Sequence, residues 1–278
     1  MASQPVPPSI AATAGDGFLS GFDLGGADGR QGARMPANGM RDLRSGALRY
    51  GAETMFVGHY GVAFAARRVG GRVPLWVWFV AVQWMDVVWS VLVLLGVEKL
   101  RIVPGFTEAN ALDLYYMPYT HGLPGSIVLS LVLGAIVALL TAGNRAMTCL
   151  LVAAASFSHW VLDLVVHVPD LPLYDNAAKV GLGLWRHVGL SFPLELIVLS
   201  LGAWLYARTT TFAGARGRYV LSAFVILLAA VQVVANFGPP PSSPRAMAVT
   251  ALAFYVVLAG LAAWVERIAT FAPRGSRP

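Results

Sequence analysis

The stretch GLPGSIVLSLVLGAIVALLTA, residues 122–142, decides the fold class of this chain. It is apolar throughout and carries no charge, and about 20 such residues suffice for a helix to cross the hydrocarbon core of a bilayer. Five more predominantly apolar runs of similar length are residues 73–97, 146–168, 184–207, 217–237 and 246–268. We predict each to be a helix, because a lone strand would leave its backbone groups unsatisfied in lipid.

The composition agrees with lipid as the solvent of the chain. Of 278 residues, 57% are hydrophobic and 12% are charged, which is too little polar surface for soluble domains of this total length. The alternating pattern of a transmembrane β-barrel is also missing from the apolar runs. The sequence therefore predicts an all-α, polytopic transmembrane bundle of six or seven helices over residues 50–278.

The count of six or seven depends on one short segment. Residues 50–66 are apolar, but they form a short run that Gly58, His59 and Gly61 interrupt. Two alternatives stay open: the segment spans the membrane, or it re-enters on the same side. Spanning would place the arginines of the preceding tail outside, against the positive-inside rule, whereas re-entry would not.

Residues 1–49 differ in kind from the rest. Gly, Ala, Ser, Pro and Arg dominate them without a helical stripe, so we predict a disordered N-terminal extension. The pattern of a secretory signal is missing. Because Met55 opens the hydrophobic domain abruptly, a start of translation at that residue is a further hypothesis.

The net charge of +6 is explained by topology and not by nucleic-acid binding. Arginines stand at the ends of the apolar runs, near residues 67–72, 145, 208–218 and 267–277, and all these ends fall on one side of the predicted bundle. Arginine-rich ends face the cytoplasm. We therefore expect a multi-pass protein of the cell's inner membrane whose partner is the lipid bilayer, with no direct nucleic-acid partner.

Ionisable side chains inside apolar runs are costly and normally face a partner, a water-filled cavity or an ion, so they mark the candidate site. All five histidines, His59, His121, His159, His167 and His187, lie in or at the edge of such runs, as do the carboxylates Asp86, Asp163 and Glu195. The last two runs hold almost no ionisable residue and are predicted to be scaffold. Cys149 is the single cysteine, so any metal must be held by histidine and carboxylate.

The strongest local pattern is SHWVLDLVVH, residues 158–167. On a helix, the spacing of four places His159, Asp163 and His167 in one polar stripe. A histidine and a carboxylate one turn apart can ligate a divalent cation such as zinc or manganese. The alternative is a hydrogen bond that merely satisfies two buried groups.

The other candidates come from separate runs. Asp86 has no Lys or Arg near it on its own run, so a cation close by would remove an otherwise unfavourable buried charge. His121 opens the following helix and His59 lies between glycines. Glu195 is a candidate base or bridging ligand, or a simple hydrogen-bond partner of Ser191. The charge-derived orientation places Asp86 and Glu195 near the midplane, His159 and Asp163 in the outer half and His121 at the outer rim, so that they can line one cavity open to the outside. His59 reaches this cavity easily only if the first segment spans the membrane.

Two outward connections, residues 98–120 and 169–183, are rich in Pro, Gly, Tyr and carboxylate. They are placed to cap a cavity that opens outward. Alternatively, their tyrosines form an interfacial aromatic belt.

The order of these residues resembles a known family. A histidine in a short first helix, an aspartate in the second, a Thr-His-Gly element and then Ser-His-x-x-x-Leu-Asp, over residues 55–163, resemble the YdjM-like family of inner-membrane, metal-dependent hydrolases, also described as LexA-binding. The resemblance implies five metal ligands: His59, Asp86, His121, His159 and Asp163. Residues 118–124 keep one histidine of the family's His-Arg-Gly-x-Thr-His-Ser element and lack the preceding His-Arg. The resemblance therefore leaves open whether the site binds one metal ion or two.

The chain is similar, more distantly, to zinc-dependent phospholipase C, a helical enzyme that cleaves phosphoesters with clustered metals. Together the residues and the resemblance predict a membrane-embedded hydrolase that uses zinc or manganese, with Glu195 or His167 handling protons and a lipid-linked or phosphoester substrate. Two other functions stay open. One is a transporter that couples ions or protons through the same groups, and the other is a non-catalytic scaffold.

Overall fold

A computed structural model describes residues 57–270. Within this range, the structure has eight helices: α1 Val57–Val69, α2 Leu75–Val82, α3 Trp84–Leu94, α4 Leu123–Leu140, α5 Arg145–Val166, α6 Val188–Thr209, α7 Gly214–Phe237 and α8 Pro244–Thr270. Four short strands form two hairpins: β1 Lys99–Ile102 with β2 Leu112–Tyr116, and β3 Leu171–Tyr174 with β4 Ala177–Val180. The predicted all-α class is confirmed. The predicted disordered extension and the proposed start at Met55 lie outside the described residues.

The long helices are built for lipid. Five of them, α4 to α8, are long and apolar enough to cross a membrane, and α2 with α3 forms a bent pair that passes the same test together. Large apolar side chains such as Leu140 and Val256 point away from the bundle and are exposed, as expected for lipid-facing positions. The described part of the chain therefore has the architecture of a multi-pass membrane protein.

The predicted single helix over residues 73–97 is wrong in one respect. The helix breaks at Gln83, whose backbone angles of φ −110° and ψ 9° are not helical, and the two halves are bent by 55°. The break frees backbone groups on its N-terminal side from the helical hydrogen-bond ladder. One of these, the carbonyl of Val82, serves the candidate site.

Helix α1 is continuous through Gly58 and Gly61. Its 13 residues extend for about 20 Å, less than the thickness of the hydrocarbon core. It packs closely against α6 where Gly61 faces Gly202. A methyl group on either glycine would overlap the backbone of the other helix. Small residues allow this close approach inside membranes. The contact fixes α1, and with it His59, against α6.

The two ends of the bundle differ. At the arginine-rich end, which contains Arg67, the side chain of Glu266 on α8 accepts hydrogen bonds from the Arg67 guanidinium and from the backbone N–H of Leu75. At the opposite hairpin end, formed by β1 to β4, Asn176 and Lys179 both donate to the carbonyl of Tyr115. The two connections expected to cap a cavity are thus hairpins that contact each other, and their strands were not predicted.

Candidate metal centre

Five side chains from four separate segments of the chain converge in the interior, towards the hairpin end. They are His59 on α1, Asp86 on α3, His121 just before α4, and His159 and Asp163 on α5. Four of them are buried, and the side chain of Asp86 is 14% exposed. These are the same five positions that the family resemblance implied as ligands.

Asp163 lies at the middle of the cluster. Its Oδ1 atom is 3.3 Å from Nε2 of His59. Its Oδ2 atom is 3.2 Å from Nε2 of His159 and 3.6 Å from Nε2 of His121. One carboxylate therefore faces imidazoles from three different elements of the fold.

Asp86 forms the second half of the cluster. Its Oδ1 atom is 3.3 Å from Nε2 of His121 and 3.5 Å from Nε2 of His159. Two triads result, each with ligand atoms within 4.8 Å of one another: His59, His159 and Asp163, and Asp86, His121 and His159. Because His159 belongs to both, the arrangement suits one ion or two neighbouring ions.

The distances fit a divalent cation better than they fit hydrogen bonds. Separations of 3.2 to 3.6 Å lie at or beyond the long end of the usual hydrogen-bond range. They match the edges of a tetrahedron whose corners are about 2.0–2.1 Å from a central zinc, which are roughly 3.3–3.4 Å long. Both ring nitrogens of His59 and Nε2 of His159 are buried and, among the described residues, have no hydrogen-bond partner. A bound cation would satisfy Nε2 of both rings.

The charges of the cluster lead to the same interpretation. Among the described residues, no Lys or Arg forms an ion pair with Asp86 or Asp163; their charged-type partners are all histidines. Two buried carboxylates without a cation are strongly unfavourable. A divalent ion would neutralise both and leave the imidazoles uncharged.

The helix break orients His159. Its Nδ1 atom is 2.7 Å from the carbonyl oxygen of Val82, which lies immediately before Gln83. A carbonyl can only accept, so Nδ1 carries the proton and donates it, and Nε2 is left with its lone pair towards the carboxylates. Outer hydrogen bonds of this kind fix the tautomer of metal-binding histidines. The bend in α2 and α3 therefore contributes directly to the centre.

A short relay orients His121. Its Nδ1 atom is 2.8 Å from the hydroxyl of Thr120, and that hydroxyl donates to Glu98 at 2.6 Å. The other oxygen of Glu98 accepts the backbone N–H groups of Tyr119 and Thr120. Since the Thr120 proton is given to Glu98, its oxygen accepts from Nδ1 of His121, which again directs the lone pair of Nε2 inward.

Helix α8 takes part in the centre, which corrects its prediction as scaffold alone. The hydroxyl of Tyr255 donates to Oδ2 of Asp86 at 2.9 Å. This bond holds one carboxylate oxygen and leaves Oδ1 facing His121 and His159. Its partner Asp86 is far away in the sequence, and an aromatic residue in an apolar helix is ordinarily packing, so sequence reasoning did not single out Tyr255.

The other predicted site residues have different positions. His167 caps the end of α5 and continues the predicted stripe: its Nε2 atom is 3.6 Å from Asp163, and its Nδ1 atom is 2.8 Å from Asp170. Glu195 is buried on α6 but belongs to neither triad, and its part in catalysis stays a prediction. His187 is exposed just before α6.

A small cavity adjoins the ligands. Its walls are formed by Asp86, Trp89, His121, Asp163, His167 and Tyr255, together with Leu112 and Leu114 of β2 and Met247 of α8. The space that the centre of a water molecule can occupy in this cavity is about 20 Å³, which is room for on the order of one water. Strand β2 thus covers the centre at the hairpin end.

Sequence reasoning missed the supporting residues. Glu98, Thr120 and Asp170 stand in connections, where carboxylates and hydroxyls are ordinary. Thr120 precedes His121 directly, and Asp170 follows His167 by three positions, so nearness to a candidate histidine was the available signal.

Comparisons with protein-family models, curated proteins and solved structures give no match to this chain. The functional argument therefore rests on the residues themselves.

Proposed function

We propose that this protein is a membrane-embedded, metal-dependent hydrolase whose centre is formed by His59, Asp86, His121, His159 and Asp163. One observation carries the proposal: three imidazoles and two carboxylates meet in a buried site in which two facing Nε2 atoms have no hydrogen-bond partner among the described residues. Donors of this kind suit zinc or manganese. The resemblance to the YdjM-like family adds support from the order of the same residues.

A divalent ion held there would supply Lewis-acid chemistry and a water of lowered pKa, the usual contribution of such ions to hydrolysis. The chain's own residues do the rest. Asp86 and Asp163 provide the negative charge that retains a cation. The Val82 carbonyl and the Thr120 hydroxyl hold His159 and His121 with Nε2 directed inward.

His167 is the residue placed to move protons. Asp170 binds its Nδ1 atom, so the ring is held in one orientation, and its Nε2 atom lies at the wall of the cavity next to Asp163. A histidine oriented in this way by a carboxylate can accept a proton and return it to a leaving group. Its place beside the cavity, which Glu195 does not line, favours His167 for this role.

The substrate class follows from the location. The centre is enclosed by helices that are apolar towards lipid, and it lies towards the hairpin end of the bundle. A lipid-linked or amphiphilic ester, in particular a phosphoester, would reach it most directly. From the distribution of arginines we infer that the protein lies in the inner membrane and that its hairpin end faces outward.

The first experiment measures metal and turnover together. Full-length protein in lipid nanodiscs is stripped with chelator, reloaded with zinc or manganese, and assayed for bound metal and for hydrolysis of p-nitrophenyl phosphate. We expect stoichiometric metal and metal-dependent turnover, both lost in His159→Ala and Asp163→Ala. His187→Ala, which removes an exposed histidine outside the cluster, is the control. Failure of the intact protein to retain either metal would overturn the proposal.

One observation favours a second function, transport. The α2–α3 pair is bent beside Asp86, and discontinuous helices line the binding sites of many secondary transporters. Ion or proton flux in proteoliposomes, without turnover of any ester, would decide for a transporter. Turnover without flux would decide for the hydrolase.

A further inference from the structure

A second cavity lies between α7 and α8 at the hairpin end. It is a groove of about 530 Å³, within the size range of small-molecule sites. Its walls are almost wholly apolar and include Val231, Val234, Met247 and Phe254, and two prolines of the α7–α8 connection close one end. Ser242 and Thr250 are its two polar side chains. The groove therefore suits a hydrocarbon and not a charged group.

The groove adjoins the metal centre. Met247 forms part of the wall of both the groove and the small cavity beside the ligands. Two turns further along α8, Phe254 lines the groove, and the next residue, Tyr255, lines the centre cavity and binds Asp86. The two spaces are thus separated by side chains of a single helix. Methionine is flexible and adapts its shape easily, so the partition at Met247 is a soft one.

The sizes of the two spaces complement each other. The cavity at the centre has room for on the order of one water, so the hydrocarbon part of an ester cannot lie against the ligands. That hydrocarbon part needs a neighbouring space. The groove is that space, and it is open to lipid, because Leu227 and Val234 on its walls are 43% and 65% exposed.

We propose that the groove holds one hydrocarbon chain of the substrate, so that the substrate class is a long-chain lipid phosphoester that enters from the bilayer between α7 and α8. This inference rests on the proposed function for the identity of the headgroup site. Hydrolysis would add one water across the P–O bond and release a phosphate and a lipid alcohol. The chain in the groove positions the ester beside the ligands and selects long-chain substrates over short soluble ones.

The test uses a matched pair of substitutions on α7. Ala230 lines the groove, whereas Ala223 is an exposed alanine two turns away on the same face of the helix that does not line it. Ala230→Phe fills the groove and Ala223→Phe does not, while both add the same apolar side chain at a lipid-facing position. Metal content is measured in both variants to show that the centre is intact.

The binding readout needs no turnover. Full-length protein in phosphatidylcholine nanodiscs is labelled with hexadecyl phosphate that carries a diazirine in its chain, and the cross-linked peptides are identified by mass spectrometry. We expect labelling of α7 and α8 at the groove, competed by hexadecyl phosphate and not by butyl phosphate. Ala230→Phe should lower this labelling by about tenfold, the loss expected when roughly two methylene groups lose buried contacts. Ala223→Phe should leave it unchanged. Labelling spread evenly over α4 and the groove, or labelling that long-chain phosphate does not compete, would overturn the inference.

The kinetic readout separates the two proposals. Ala230→Phe should reduce the ratio of kcat/KM for hexadecyl phosphate to kcat/KM for p-nitrophenyl phosphate by a similar factor, whereas Ala223→Phe should leave both values as in the unmodified protein. Equal loss on both substrates would mean that the groove has no role in recognition. If the intact protein hydrolyses neither substrate, the proposed function fails, and the labelling experiment still decides whether the groove binds the chain.

Discussion

Two carboxylate sites at different places in the bundle differ in the groups that face their negative charge. At the arginine-rich end, Glu266 receives the Arg67 guanidinium on one oxygen and the Leu75 N–H on the other. At the candidate metal centre, Asp163 faces the imidazoles of His59, His121, His159 and His167, and among the described residues it has no Lys or Arg partner.

The difference separates a structural contact, in which a guanidinium balances the carboxylate, from a candidate site in which, among the described residues, the carboxylates form ion pairs with histidines alone. The Glu266 site is neutral by itself, and it joins the end of α1, the start of α2 and the end of α8. The carboxylates at the centre become neutral only if their histidines are protonated or a cation binds. Buried charge that the protein does not balance is typical of functional sites in membranes.

The largest expected effect comes from Asp163→Asn. The change keeps the shape of the side chain but removes the charge and an anionic ligand that faces several imidazoles. We expect metal affinity to fall by about 100-fold or more, beyond the 10- to 100-fold typical of residues that only support ligands. Equilibrium dialysis against zinc measures it. Asp175→Asn, at the exposed tip of the β3–β4 hairpin, is the control, and equal affinities for the two variants would contradict the metal assignment.

Thr120→Val tests the relay behind His121. Valine keeps the shape but removes the hydroxyl that binds both Nδ1 of His121 and Glu98. We expect a loss of about 10- to 100-fold in metal affinity or turnover. Thr209→Val, an exposed position near the other end of α6, should behave as the unmodified protein. Unchanged affinity in Thr120→Val would show that the relay does not orient the ring.

Arg67→Met addresses the other half of the comparison. It keeps the apolar stem but leaves Glu266 with the Leu75 N–H alone. Because the pair is partly buried, we expect a loss of about 1–2 kcal/mol in the free energy of unfolding, between the values for exposed and buried pairs, with metal content unchanged. Arg68→Met, at an exposed neighbouring position, is the control. A fall in metal content in Arg67→Met would break the distinction between the two sites.

The smallest effect is expected for Tyr255→Phe. Removal of one hydroxyl deprives Asp86 of a single hydrogen bond, which is worth about 1.5–3 kcal/mol to a charged acceptor, or roughly 10- to 150-fold in metal affinity at most. Since a bound cation also holds Asp86, we expect the low end of that range. Tyr219→Phe, at an exposed position on α7, serves for comparison. Unchanged metal affinity in Tyr255→Phe would show that α8 only supports the bundle.

The membrane helices and the candidate ligands could be predicted from the sequence for the same reason: apolar runs are conspicuous, and so are ionisable residues inside them. The break at Gln83 could not, because neither Gly nor Pro marks it, and the partner of the Val82 carbonyl is His159, 77 residues away. Tyr255 was missed because its role depends on a contact with Asp86 across 169 residues. The hairpins were missed because their strands have only four or five residues.

The order of the ligands along the chain bears on how the protein is made. His59, Asp86 and His121 all emerge from the ribosome before Asp163, the residue that faces both His59 and His121. While the first helices enter the bilayer, Asp86 therefore has no completed set of imidazoles around it, and its Tyr255 partner arrives later still. The candidate ligand set is consequently complete only after α5 has been inserted and docked against the earlier helices.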